Sequence, residues 1–408
     1  MTNQASTAQA LSNEVDKRTD FRNTALCLVA ILMAVAVSFR VGGLLADDEQ
    51  YLYLVKGFFI HRPFENLRDG NGSLFLLRPF GYPLLLSLFY PLFHQHWNLY
   101  PWINAGFGFG LGAMTFFCLR LWVGAWLSLL LTLAMLANPM IRFWCTFAYS
   151  DIPFTFFLML FVYLHVTGKA KDAMPFLAVF LMALRTSGLP MVGAYALTVI
   201  LERDKRRGAI LFGLLLPYFL VQWLAFGEIP GLQQYFKIHV QDTVDVHPDS
   251  FPVRLLHNLR SLFATLFVSS FFYGAYAWIK ASLFKTILCL VLGLSVPICL
   301  AAAAGRSLLL KLCILGYISI LLVMRPDDLV HRMLVPLMPM AFLGAGKLLA
   351  TAKTLDLPRL RQVVLFVTLA AALDGLWAMG KYREEFTPRD FSDVDHAGEA
   401  SKSSSFTK

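Results

Sequence analysis

Long apolar blocks separated by short polar stretches run through this chain from residue 24 to residue 379. The first block, residues 24–45, carries one charge, Arg40, and is long enough to cross a bilayer as a helix, which takes about 20 apolar residues. Three consecutive acids follow it in Ala46-Asp47-Asp48-Glu49-Gln50-Tyr51. Beyond them Tyr51, Leu54, Val55 and Phe58 recur at i, i+3, i+4 and i+7, the spacing of one helix face. This predicts a helix along the membrane surface with carboxylates at its N-terminal end, where the helix dipole favours negative charge. Residues 68–73 (Arg-Asp-Gly-Asn-Gly-Ser) are turn-prone. Arg78-Pro79-Phe80-Gly81-Tyr82-Pro83 then opens an apolar run to Phe93, which is too short to span and suits an interfacial helix.

The later apolar blocks are residues 102–122, 124–140, 152–166, 174–184, 188–201, 209–226, 286–304, 308–324, 333–349 and 363–379. Residues 262–279 read equally as a crossing or as a surface helix. The expected fold is therefore an all-α polytopic membrane protein with eleven or twelve transmembrane helices. If Lys169, Lys171, the basic run at 203–207 and the group Lys347, Lys353, Arg359 and Arg361 share one side, Asp151, Arg185 and residues 325–332 share the other. That arrangement needs 262–279 not to cross, so eleven spans are preferred.

Composition strengthens this reading. Hydrophobic residues make up 57% of the chain, mean hydropathy is +0.61, and charged residues are only 15%, against roughly 25% in a soluble domain. The net charge of +9 is spread between apolar segments and forms no basic domain, so nothing points to nucleic acid. Lys17, Arg18 and Arg22 precede the first span and place residues 1–23 in the cytoplasm as an N-terminal arm, with the acidic motif outside. No small-residue cleavage pattern follows the first span at Arg40-Val41-Gly42, so it is expected to remain as an anchor. The membrane domain is placed at 24–379, with outer loops at 46–101, 141–151, 227–260 and 325–332. Residues 380–408 form a polar tail of disordered composition. Six cysteines, mostly inside apolar blocks, show neither metal spacing nor a disulfide framework. The short loops and cationic arm point to a bacterial inner membrane with the outer loops facing the periplasm.

Carboxylates and arginines on separate loops of one face suit transfer from a phosphate-activated donor. A carboxylate takes the proton of an acceptor hydroxyl, and an arginine holds a phosphate by paired, charge-assisted hydrogen bonds. Arginines near hydrocarbon are costly and tend to be paired or functional.

Five stretches resemble the GT-C fold glycosyltransferases, especially the protein O-mannosyltransferases and the lipid A aminoarabinose transferases. They are Asp47-Asp48-Glu49-Gln50-Tyr51; Arg78-Pro79-Phe80-Gly81-Tyr82-Pro83; Tyr149-Ser150-Asp151-Ile152-Pro153; Ala183-Leu184-Arg185-Thr186-Ser187-Gly188-Leu189; and His331-Arg332-Met333-Leu334-Val335-Pro336, with Met333 where Tyr is usual. The resemblance covers residues 24–349 and lacks the large C-terminal soluble domain of some relatives. It implies a polyprenyl-phosphate-linked sugar donor, a lipid, glycan or protein acceptor, and a first-loop acid as catalytic base. Asp48 is preferred for that base with Asp47 beside it, Asp151 in support, and Arg185 and Arg332 on the phosphate. Glu49, Tyr51, Arg78, Tyr82 and His331 complete the expected substrate-binding set.

Simpler readings accompany each of these. Asp151 also suits an N-cap, Arg185 and Arg332 suit span ends, and Arg78 before proline suits an interfacial anchor. His239, Asp242, Asp245, His247 and Asp249 crowd one outer segment, but at no recognisable metal spacing, so no cofactor is expected and a divalent ion remains the minor option. Trp97, Tyr100, Trp102, Trp144 and Trp223 read as interface-belt aromatics. The alternative function is a transporter or lipid flippase. Such proteins place ionisable groups at the midplane of paired repeats, whereas no repeat is visible here.

Overall fold

The computed structural model describes residues 20–37, 46–59, 79–94, 96–226, 251–263, 267–272, 283–323 and 331–384. Among the described residues all regular structure is helical. The helices are α1 (Asp20–Val37), α2 (Ala46–Phe59), α3 (Gly81–Ser87), α4 (Tyr90–Phe93), α5 (Tyr100–Arg120), α6 (Ala125–Leu136), α7 (Pro139–Trp144), α8 (Asp151–Thr167) and α9 (Met174–Leu184). They continue as α10 (Leu189–Leu201), α11 (Lys205–Phe226), α12 (Phe251–Ser261), α13 (Phe267–Phe271), α14 (Leu283–Ala304), α15 (Leu308–Val323), α16 (Leu337–Thr354) and α17 (Pro358–Glu384).

Contacts between helix ends give the bundle two poles. At one, Arg120 meets Asp20 at 2.5 Å, Arg206 meets Asp172 at 3.0 Å, and His165 Nε2 lies 2.8 Å from Ser307 Oγ. Lys347 donates to the Ala303 carbonyl at 2.5 Å there, over the Trp122 ring. At the other pole Asn138 donates to the Ser270 carbonyl, Asn258 to the Leu322 carbonyl, and Tyr317 to the Met333 carbonyl. Among the described residues eleven helices run between these poles: α1, α5, α6, α8, α9, α10, α11, α14, α15, α16 and α17. The segment between α11 and α14 begins and ends at the second pole, so α12 and α13 stay there.

The outer surface is apolar. α17 turns Val363, Phe366, Leu369 and Leu373 outward, α11 exposes Phe212, Leu216 and Trp223, and α1 exposes Val29, Leu32 and Met33. A water-soluble bundle buries such stripes, and a bilayer solvates them. This is a multi-pass membrane protein. Asp20–Val37 and the rod Trp97–Arg120 are long and apolar enough to cross alone. Others depend on their neighbours. α9 and α10 have 11 and 13 residues, about 16 and 20 Å of rise, against about 30 Å of hydrocarbon. They form a hairpin that starts at the first pole, and neither arm is long enough to cross the hydrocarbon by itself.

Two expectations resolve differently from a plain reading of the pattern. The run after Arg78 breaks into α3 and α4, of seven and four residues, because Pro91 at the start of α4 has no N–H to donate to the Ser87 carbonyl that ends α3. The stretch 227–260, read as polar, ends in a helix. α12 exposes Val253, Leu256 and Leu259 beside His257 and Arg260, while its fully buried Asn258 faces α15.

Candidate active site

The tip of the α9–α10 hairpin lies at the centre of the second pole. α9 ends at Leu184, Arg185 is extended (φ −151°, ψ 142°), and a single 3-10 turn, Thr186–Gly188, reverses the chain. Pro190 in the first turn of α10 has its φ preset for helix where an N–H would have no intrahelical partner. Glycine is required on both sides of this tip. A Cβ on Gly188 would fall within 2.7 Å of the Met182 backbone nitrogen, and one on Gly81, at the start of α3, within 2.6 Å of the Ala183 carbonyl. The last turn of α9 is thus held between two glycines, and Arg185 leaves it in a fixed direction.

Arg185 forms an ion pair with Asp151, which is fully buried. Asp151 is the first residue of α8. The N-cap is Ser150, whose side chain makes no capping hydrogen bond, so Asp151 is a counter-ion and not a cap. Arg185 Nη2 also approaches Met333 Sδ at 3.5 Å, which brings the 3-10 turn His331–Leu334 against the hairpin tip. From that turn Arg332 projects over Tyr149 and Trp144, its guanidinium carbon 5.4 and 6.0 Å from their ring centroids, within cation–π range.

The first outer segment closes the other side. Tyr51 on α2 shares a 3.0 Å hydrogen bond with Ser150 Oγ and packs edge-on against Tyr82 of α3, ring centroids 4.8 Å apart. Tyr82 donates to Asn104 Oδ1 at 3.0 Å, and Asn104 Nδ2 donates to the carbonyls of Phe147 and Tyr149 at 2.6 Å each.

Five of the ten residues singled out from the sequence therefore meet here: Tyr51, Tyr82, Asp151, Arg185 and Arg332. Asp47, Asp48 and Glu49 lie in the first turn of α2, but their side chains are outside the described residues. On a helix, positions 47 and 48 precede Tyr51 by four and three residues and share its face, whereas 49 does not. Arg78 and the segment with His239 to Asp249 fall outside the described residues, as does the His331 side chain. Among the described residues no three His, Cys, Asp or Glu side chains gather as a metal site would need. Asn104 was not anticipated. Its only sequence signal is a carboxamide near the start of the largely apolar block 102–122.

Two solved structures share this architecture: ArnT from Cupriavidus metallidurans in the apo state, at TM-score 0.52, and ArnT from the same organism bound to undecaprenyl phosphate, at TM-score 0.50. Each is 13% identical to this chain, and the match covers 92% of this chain and 76–77% of ArnT. The chain has the GT-C fold of ArnT. Neither a family model nor a curated protein sequence matches it, so the likeness is one of fold.

Proposed function

We propose that the protein is an integral membrane glycosyltransferase that moves a sugar from a polyprenyl-phosphate donor to an acceptor hydroxyl. One observation carries this reading. Arg185 and Arg332, on elements far apart in sequence, converge with Asp151 at the tip of a hairpin whose arms are too short to cross the hydrocarbon, within a fold shared with an undecaprenyl phosphate-binding protein. A lipid-borne phosphate reaches such a tip, since its prenyl chain stays in the hydrocarbon. Arginines offer it planar, paired donors that no water supplies there.

Asp48 is the proposed base. It takes the acceptor proton as the hydroxyl oxygen attacks the anomeric carbon, while the bond from that carbon to the phosphate oxygen breaks and polyprenyl phosphate leaves. A single displacement inverts the anomeric centre. Asp47 shares the Tyr51 face of α2 and is the other residue able to fill this role. Asp151 keeps Arg185 oriented. The test is transfer from a polyprenyl-phosphate sugar in membranes bearing Asp48→Asn or Asp47→Asn. Losing a general base lowers turnover by about 10²–10⁴-fold. Full activity in both variants overturns the assignment.

A further inference from the structure

We infer that Asn104 is a positioning residue, which sets the loop carrying Tyr149 and Asp151 and through it the place of Arg332; the inference rests on the phosphate-binding role proposed above. Asn104 is fully buried on α5, the long rod of the bundle. Both of its donor contacts reach carbonyls of one irregular stretch, those of Phe147 and Tyr149, and its oxygen accepts from Tyr82. That stretch has no helix to hold it between α7 and α8. The two carbonyls anchored by Asn104 flank Ala148 and stop one residue short of Ser150, the partner of Tyr51, and two short of Asp151, the partner of Arg185. The Tyr149 ring lies under Arg332. One carboxamide therefore joins α3, the α7–α8 loop and the cationic face of the site, although it touches neither arginine.

Only an amide satisfies this arrangement, with two donors toward carbonyls and an acceptor toward a phenol. Alanine leaves two buried carbonyls without their donor. Aspartate is isosteric, but when ionised it turns a negative oxygen toward the carbonyls; when protonated it recovers one donor. The Asp variant thus has a signature that a merely packed residue lacks.

The experiment uses the full chain in lipid nanodiscs and undecaprenyl phosphate as probe. Asn104→Ala is expected to weaken binding by roughly tenfold to a hundredfold, the scale of one hydrogen bond lost between Arg332 and a charged phosphate, with the folded fraction read in parallel by thermal unfolding. Asn104→Asp is expected to bind weakly at pH 8 and to regain affinity relative to the wild type as pH falls toward 5.5, whereas Asn104→Ala regains none. Unchanged affinity in folded Asn104→Ala, or no relative recovery in Asn104→Asp, overturns the inference. If the wild type binds no undecaprenyl phosphate, the phosphate reading is what fails. Loop position is then read without ligand, as alkylation of Tyr149→Cys with and without Asn104→Ala. A several-fold faster reaction in the double variant supports the anchoring role, and equal rates reject it.

Discussion

At the scale of single residues the Asp151–Arg185 pair has the largest energetic consequence. Asp151 is fully buried and Arg185 nearly so, and both come from helix ends that face little water. Removing one member of such a pair leaves an uncompensated buried charge, at a cost of about 3–5 kcal/mol, whereas removing both can be close to neutral. Arg185→Met alone is therefore expected to lower the unfolding temperature markedly. Asp151→Leu with Arg185→Met should recover most of that loss without restoring transfer. If the double variant is as unstable as the sum of the singles, the pair is not coupled. Tyr51→Phe makes a smaller change: it removes the hydrogen bond with Ser150, worth about 1 kcal/mol. Its effect should appear in turnover more than in stability, because Tyr51 aligns the face of α2 that bears positions 47 and 48.

At the scale of elements, the site depends on where helices stop. Gly81 and Gly188 both press on the last turn of α9, and a methyl at either must displace backbone. Overpacking of this kind costs about 1–3 kcal/mol. Gly188→Ala is expected to reduce transfer more than Gly213→Ala, whose added methyl would meet nothing within 4 Å; equal effects would remove the geometric argument. α11 starts differently. Asp204 Oδ1 accepts the Arg207 backbone N–H at 2.9 Å and Oδ2 accepts from its Nε at 2.7 Å. The Arg207 amide and guanidinium hold the Asp204 carboxyl below the usual carboxylate range. With a depressed folded pKa, the stabilisation is present above the unfolded value of about 3.9 and fades as pH falls through the lower folded one. Asp204→Asn should therefore flatten the acid limb of the stability profile. Helix placement was largely legible in the sequence because hydrocarbon demands long apolar runs: the blocks 174–184 and 308–324 match α9 and α15 almost residue for residue. Asp151, Arg185 and Arg332 were legible because charges interrupt those runs. Asn104 was not, since a single amide inside a span has no distinguishing neighbours, and α12 was missed because its apolar residues alternate with polar ones in a segment that is polar on average.

At the scale of the whole molecule, basic side chains among the described residues gather at one pole. Lys171, Arg206, Arg207, Arg306, Lys347 and Lys353 belong to the pole opposite the site, as do the turns after α8, α10, α14 and α16. Basic loops stay on the cytoplasmic face during insertion, so the site is expected to open to the other side, the periplasm in a bacterium. The short hairpin makes that orientation consequential. The Arg185 tip lies about 16 Å of helix away from the basic pole, so a headgroup is expected to reach it from the opposite leaflet. Lys169 and Asn98 are exposed at the two poles and allow a direct measurement. Lys169→Cys should react with a membrane-impermeant maleimide only in inside-out vesicles, and Asn98→Cys only in right-side-out ones. Labelling of both from one side would contradict the two-pole topology. Labelling from opposite sides in the reverse sense would keep the fold but place sugar transfer in the cytoplasm, where a donor need not cross the membrane before it reacts.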